Sequence, residues 1–275
     1  MIEFPNTHSI YSIAEWVELY VIYENKPLYK STMLALLQAN DGNLKEEDID
    51  SVIGEMVRRK NLYGDSAPFE TDGRSIKPKI KWKDKPELIM CLIFSLFGVE
   101  KKKGKDDGTK LFERLSREAV KSYLGGEAEV IGFPNEKKLK EQIDCLSKRM
   151  FEQVGPRCPK PKDKDKGVDI IAWKPHGDNR SNQIILLLQC GAGFNHSQKK
   201  GISITAWCEF VNWSAKPIQG IMIPKIASDE EWIEIRDDYT LIFDRVRIYK
   251  AIYQKRLSDS KLKKQILDWC KGRLN

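Results

Sequence analysis

The chain has 275 residues, 41% apolar and 32% charged, and its 47 lysines and arginines outnumber 40 acidic residues for a formal net charge of +7. About two domains are expected at this length, and the modest positive excess permits a polyanionic partner without requiring one. A membrane span would need about 18 consecutive apolar residues, and the nearest run, Leu88 to Val99, is too short. The N-terminal residues lack the basic flank and apolar segment of a secretory signal, so a soluble cytoplasmic protein with no membrane partner is expected. The six cysteines form no Cys-x-x-Cys pair and the three histidines lie far apart, which argues against a zinc site, a disulfide framework or a histidine-rich metal centre. A hard cation held by carboxylates remains open.

From residue 9 to about 97 the pattern is mainly helical. Ser12 is placed to cap a helix carrying Ala14, Val17, Leu19, Tyr20 and Ile22, which ends before Pro27. A second helix is expected over Lys30 to Gln38, with Met33, Leu34, Leu36 and Leu37 inward. A third starts at Glu46, where Ile49, Val52, Ile53 and Met56 share one face and Arg58, Arg59 and Lys60 suit the C-terminal dipole. With a hairpin around Thr71-Asp72-Gly73-Arg74, residues 1–100 read as a helical domain that fits a winged-helix-like module, a shape used for protein docking as well as for DNA. The apolar helix Glu87 to Phe97 is expected to pack between the two halves.

Gly98 to Gly108, rich in lysine and glycine, is the linker, leaving 109–275 as a second domain. It opens with a helix bearing Leu111, Phe112, Leu115, Ala119 and Tyr123, stopped by Gly125-Gly126. Periodicity alone lets either Glu113 or Glu118 reach a site at the rim of that helix. A strand over Ala128 to Phe133 and a helix over Leu139 to Val154 follow. Next come the runs Lys164 to Trp173 and Gln183 to Gly191, which read as two neighbouring strands covered on both faces. Beyond them a helix is expected over Ser203 to Val211, strands over Ile218 to Ile223 and Tyr239 to Phe243, and two terminal helices, Arg245 to Arg256 and Ser260 to Leu274, covering a sheet face.

Asp169 and Gln189 interrupt these buried runs, and burying such groups is costly unless they are paired or bound to a cation. Lysines crowd towards them: Lys101, Lys102, Lys103 and Lys105 precede the Glu113 helix, and Arg157, Lys160, Lys162, Lys164 and Lys166 lead into Asp169. Such runs are either solvated loops or phosphate contacts.

Gly167-Val168-Asp169-Ile170-Ile171, a short loop and a strand ending Gln189-Cys190, with Leu111-Phe112-Glu113-Arg114-Leu115 upstream, resemble the core of the PD-(D/E)XK nucleases, and most of all the Mrr-like type IV restriction enzymes. The motif lysine is absent: Gly191 stands in its place. The resemblance, over roughly 109–225, implies an α/β restriction-endonuclease-like core of order α-β-β-β-α-β. It implies DNA hydrolysis with Mg²⁺ or Mn²⁺ held by Glu113, Asp169 and Gln189, and a role in prokaryotic defence against foreign DNA. It is the family position that selects Glu113 over Glu118.

A substitute for the lysine is sought in Lys199 or Lys200, with Lys200 slightly favoured; Lys174 faces away from Asp169 by strand parity. Lys160, Lys162, Lys164 and Lys166 are the nucleic-acid-binding candidates. Gly191-Ala192-Gly193 reads as a tight strand exit in preference to a phosphate loop, and Asn195 and His196 follow as pocket-lining candidates. DNA is the expected partner, together with an ATPase or other defence subunit, and a homodimer would ease cutting of both strands. The rival reading is a catalytically inactive nuclease fold kept as a nucleic-acid-binding or scaffolding subunit.

Overall fold

The computed structural model describes residues 2–5, 9–40, 44–99, 108–131, 138–160, 163–193, 201–255 and 257–274. The chain forms two compact units: Met1–Asp107 with Pro224–Ser228 and Asp259–Asn275, and Gly108–Ile223 with Asp229–Ser258.

In the first unit, α1 (Ile10–Glu24) ends at Asn25, whose left-handed φ of 54° this residue type tolerates. Then come β1 (Leu28–Tyr29), α2 (Lys30–Asn40), α3 (Glu46–Tyr63), β2 (Phe69–Thr71), β3 (Ser75–Pro78) and α4 (Pro86–Phe97). The three strands form an antiparallel sheet in the order β1-β3-β2, with Leu28 opposite Ile76 and Phe69 opposite Pro78. The β2–β3 turn is closed by Asp72 Oδ1, which accepts from the amides of Arg74 (2.9 Å) and Ser75 (2.8 Å). These bonds hold the Asp72 carboxyl at a pKa of about 2. On α2, Met33 and Leu37 are buried while Leu34 and Leu36 are half covered, a narrower apolar face than the sequence suggests.

Helix α4 starts on Pro86, whose missing N–H costs nothing at a first helical position. Its residues Leu88 to Phe94 are all buried, each apolar side chain contributing roughly 1.5–3 kcal/mol. Its neighbours are α1 and the last helix of the chain (α10, Ser260–Leu274). Leu262, Ile266 and Cys270, four residues apart, form the buried row of that helix, and Trp269 stacks on Phe94 at 5.0 Å. This helix therefore covers α4, where the sequence suggested a sheet face.

Glu87 on α4 is buried with Oε2 lacking a hydrogen-bond partner, and burial raises its pKa. A carboxyl whose folded pKa lies above its unfolded value loses stability as pH rises from the unfolded value to the folded one. Glu87→Gln should therefore melt higher than the wild type at neutral pH. It should also flatten the fall in melting temperature on titration upward from pH 4.5, as read by circular dichroism.

The second unit runs α5 (Thr109–Leu124), β4 (Glu127–Val130), α6 (Leu139–Met150), β5 (Gln153–Val154), β6 (Ile170–Lys174), β7 (Ile184–Cys190), α7 (Ile204–Phe210), β8 (Val211–Asn212), β9 (Ile218–Met222), α8 (Asp229–Asp238), β10 (Leu241–Phe243) and α9 (Arg245–Lys255). Five strands make a mixed sheet in the order β10-β9-β7-β6-β4. Strands β4, β6 and β7 pair antiparallel, whereas β9 and β10 continue parallel to β7. The central β7, Ile-Ile-Leu-Leu-Leu-Gln-Cys, is buried at all but its first residue, as expected of a strand with neighbours on both sides and covered faces.

Helix α5 lies across β4, β6 and β7, and α9 packs on α5, where the Ser122 hydroxyl donates to the Ala251 carbonyl at 2.6 Å. Helix α8 has no counterpart in the sequence reading; its Asp-Glu-Glu-Trp-Ile-Glu-Ile-Arg-Asp-Asp run buries only Ile235, so it carries no apolar stripe to read. Among the described residues no helix is long and apolar enough to cross a membrane.

Candidate functional site

The end of β6 where the strand begins adjoins the end of β7 where that strand finishes. Ile170 pairs with Leu188 there, so Asp169 and Gln189 both lie one residue beyond that rung. The half-buried Asp169 is tied to β7 by its amide, which donates to the Leu188 carbonyl (2.9 Å), and by its carboxylate, whose Oδ2 accepts from the Cys190 amide (2.7 Å). One Asp169 oxygen therefore satisfies a backbone donor at the end of the central strand. A carboxylate keeps further lone pairs for a cation or water.

Gln189 is buried and its Oε1 accepts from the Tyr239 hydroxyl at 2.5 Å. Burial, together with the charges of Asp238 and Asp169, pushes the Tyr239 pKa up to about 12. The phenol thus stays protonated near neutrality and remains the donor. This fixes the carboxamide with its oxygen towards Tyr239 and its nitrogen towards Gly167.

Gly167 has φ of +87°, and a Cβ there would lie 3.1 Å from the Gly201 carbonyl oxygen and 3.3 Å from Gln189 Nε2. The turn is further fixed by Asp165 Oδ1, which accepts from the Gly167 amide (3.0 Å), and by the Lys166 carbonyl, which accepts from the Ser203 amide (3.1 Å). Gly167→Ala combines left-handed strain with a close contact. It should cost about 1–3 kcal/mol of stability, measured as a lower urea midpoint, while displacing Gln189.

Glu113 stands at the start of the second turn of α5, the helix that packs on β6 and β7, and is buried. The Lys110 ammonium donates to both its oxygens, at 2.8 and 3.1 Å. Glu118, the alternative from periodicity, pairs with Arg117 at 2.5 Å. Lys174 donates to the Gly125 carbonyl beside the opposite end of β6, in keeping with its strand parity. Cys190 is buried and not in a disulfide, and the Gly191 amide donates to the Met222 carbonyl (2.8 Å), extending the β7–β9 ladder as a strand exit does. Lys199, Lys200, Asn195 and His196 lie outside the described residues, as do Lys162 and Lys101 to Lys105.

The basic loop before Asp169 is partly neutralised. Lys166 pairs with Asp163 at 2.9 Å, and Arg157 pairs with Glu209 at 2.6 Å and Asp163 at 3.6 Å. The Lys160 amide and the Lys166 side chain hold Asp163 at a pKa of about 2. Lys160 and Lys164 are exposed.

Two residues escaped the sequence reading. Lys110 was legible in principle, because a lysine three residues before Glu113 faces it on a helix. Tyr239 was not, since fifty residues separate it from Gln189 and only the sheet order brings them together.

Among the described residues no group of three or more His, Cys, Asp or Glu side chains could hold a metal ion. The candidate set is instead two carboxylates and a carboxamide. These are hard oxygen donors of the kind that suit Mg²⁺ or Mn²⁺ retaining part of its water shell.

No family model and no curated protein matches the chain. Among solved structures it is similar to the MspJI restriction endonuclease in complex with a 27-mer oligonucleotide, at 12% identity and a TM-score of 0.33, covering 88% of this chain and 49% of that one. It is also similar to restriction endonuclease FokI, at 8% identity and a TM-score of 0.26, covering 94% of this chain and 46% of that one. The chain thus spans about half the length of each structure it matches.

Proposed function

We propose that the chain is a metal-dependent DNA endonuclease with a restriction-endonuclease-like core. The observation that carries this is the pairing of Asp169 and Gln189 at one end of two adjacent core strands, each with its orientation fixed by a hydrogen bond. Within the order α5, β4, α6, β5, β6, β7, α7, β8, β9, the set α5-β4-β6-β7-α7-β9, with β7 parallel to β9, supports it. So does the helix position of Glu113.

A hard divalent cation would neutralise the charge that develops on the phosphate oxygens and activate a water. Asp169 and Glu113 would supply charge to hold it and Gln189 a neutral oxygen. Lys200 keeps the part of the missing motif lysine, and Lys110, beside Glu113, is the second candidate for it. Lys110→Ala and Lys200→Ala separate the two, the one in use lowering cleavage by about 100-fold or more. Exposed Lys160 and Lys164, with Lys162 and Lys166, would contact backbone phosphates. The N-terminal unit reads as winged-helix-like, which its helices α1, α2 and α3 and the three-stranded sheet β1-β3-β2 support. Defence against foreign DNA, an ATPase or other defence partner and a homodimer belong to the same reading, as does a cytoplasmic location.

Incubating the full chain with supercoiled plasmid and with phage DNA tests the proposal. Nicked or linear product in Mg²⁺ or Mn²⁺, abolished by EDTA, is the expected result. Intact DNA in both metals contradicts it.

The second reading, a nuclease fold without catalysis that binds nucleic acid or scaffolds a complex, is favoured by Gly191 at the lysine position and by the partners already on Gln189 and Glu113. It predicts DNA binding that survives Asp169→Ala and no cleavage in any divalent metal.

A further inference from the structure

In the first unit, residues 74–85 hold six cationic side chains and one carboxylate, a concentration of positive charge far above the chain's average. The pattern has a strand's period. Lys77, Lys79 and Lys81 are exposed, while the intervening Pro78 and Ile80 are half covered; Lys77 lies in β3 and the Lys79 amide continues its pairing by donating to the Pro68 carbonyl at 2.9 Å, so these two share one side, and the chain bends at Ile80 before Lys81. Exposed Lys83 follows on a short 3-10 turn, Trp82–Asp84. Extended spacing places Lys77 and Lys79 roughly 7 Å apart, and with Lys81 and Lys83 they make a run of exposed cations of the kind that contacts a phosphate backbone.

Lys77 and Lys79 also line a cleft of about 470 Å³ with Lys60, from the end of α3, together with Asn61 and Thr71. Three carboxylates border that cleft, Asp65, Glu70 and Asp72. Asp72 is committed to the turn amides, and Glu70 lies 3.6 Å from Lys79. The Lys60 ammonium donates to the Thr71 carbonyl at 3.1 Å and is thereby aimed at the hairpin.

Helix α3 has the opposite character. Its first turns expose Glu46, Glu47 and Asp50, and Lys30 offsets part of that charge through Asp50 at 2.5 Å. Carboxylates at this end would meet phosphates on both sides if the helix entered a major groove, and like charges there are unfavourable.

We infer that the β2–β3 hairpin and the lysine segment after it bind the phosphate backbone of duplex DNA without reading sequence, while α3 stays out of the groove. The inference does not depend on the nuclease reading. It concerns a second surface, and it would hold for a protein that never cuts.

The test uses the full-length Asp169→Asn protein in EDTA, so that binding is read without cleavage, with two labelled duplexes of unrelated sequence and a salt titration. Lys77→Gln/Lys79→Gln/Lys81→Gln should lower the slope of log K against log salt by about 2.7, at about 0.9 per lost phosphate contact, equally for both duplexes. Lys79→Gln/Lys81→Gln should lower it by about 1.8, which keeps the inference testable if the triple variant folds poorly. An unchanged slope in the double variant overturns it, as does a parent protein that binds neither duplex at low salt, or one that prefers one duplex more than tenfold. A reduced slope in a chain that cuts no DNA leaves this inference standing and sinks the proposed function. Cleavage with an unchanged slope does the reverse.

Discussion

Arg59→Met is expected to lower the unfolding free energy by about 3–5 kcal/mol, the range for stranding buried charges by removing one partner. Arg59 is fully buried on α3, with Nη1 3.2 Å from Glu18 and 3.3 Å from Glu15, Nε 2.7 Å from Glu55, and Nη2 donating to the Tyr11 carbonyl at 3.1 Å. The Tyr63 hydroxyl donates to Glu18 at 3.0 Å. One guanidinium therefore holds carboxylates from α1 and α3 in the interior of the first unit, and methionine fills its volume without its charge. Arg58→Ala, at the partly exposed margin of the same cluster, should cost much less. Urea denaturation compares them, and a loss below about 1 kcal/mol for Arg59→Met would show that water reaches the carboxylates.

The same cluster sets an acid limit. Burial opposes ionisation of Glu55, but Arg58 and Arg59 outweigh it and hold its pKa below the usual carboxylate range. A depressed folded pKa contributes stability that is present above the unfolded value of 4.5 and lost as pH falls through the folded one. Glu55→Gln should therefore remove part of the loss of stability expected below pH 4.5, read as melting temperature against pH.

Where the sequence was legible, local chemistry coincided with the fold. The α3 face of Ile49, Val52, Ile53 and Met56 is buried as its spacing predicts, and the β6 and β7 runs of β-branched residues and leucine are strands. The Gly167 turn combines a positive φ with close backbone contacts, which only glycine meets without strain. What stayed hidden was set by tertiary order. Helix α8 buries one side chain, so no periodicity marks it. The last helix shows a clear apolar row in sequence, yet nothing in that row says which surface it covers; Phe94 stacking on Trp269 does. At the candidate site, strand register put Asp169 beside Gln189 as the pattern implies, but the Tyr239 bond that orients Gln189 depends on the course of the sheet.

Asp169→Asn is expected to lower cleavage by about 100-fold or more, the scale of losing a preorganised charge at the reacting centre, with little change in stability. The contrast with alanine gives this its force. The carboxamide introduced by Asp169→Asn could still accept from the Cys190 amide that Asp169 Oδ2 now satisfies, whereas Asp169→Ala orphans that N–H and should cost about 1–3 kcal/mol as well. Two variants thus separate charge from scaffold: both lose activity, and only one loses stability. If the carboxylate were purely a strand cap, Asp169→Asn would keep the wild-type rate.

The most direct measurement is the rate at which supercoiled plasmid is cut in Mg²⁺ or Mn²⁺ by the wild type and by Asp169→Asn protein of matched melting temperature. Metal-dependent cutting by the first and its loss in the second is the predicted outcome. Equal rates, or intact plasmid with both proteins, would contradict a cation-binding role for Asp169 in phosphodiester hydrolysis.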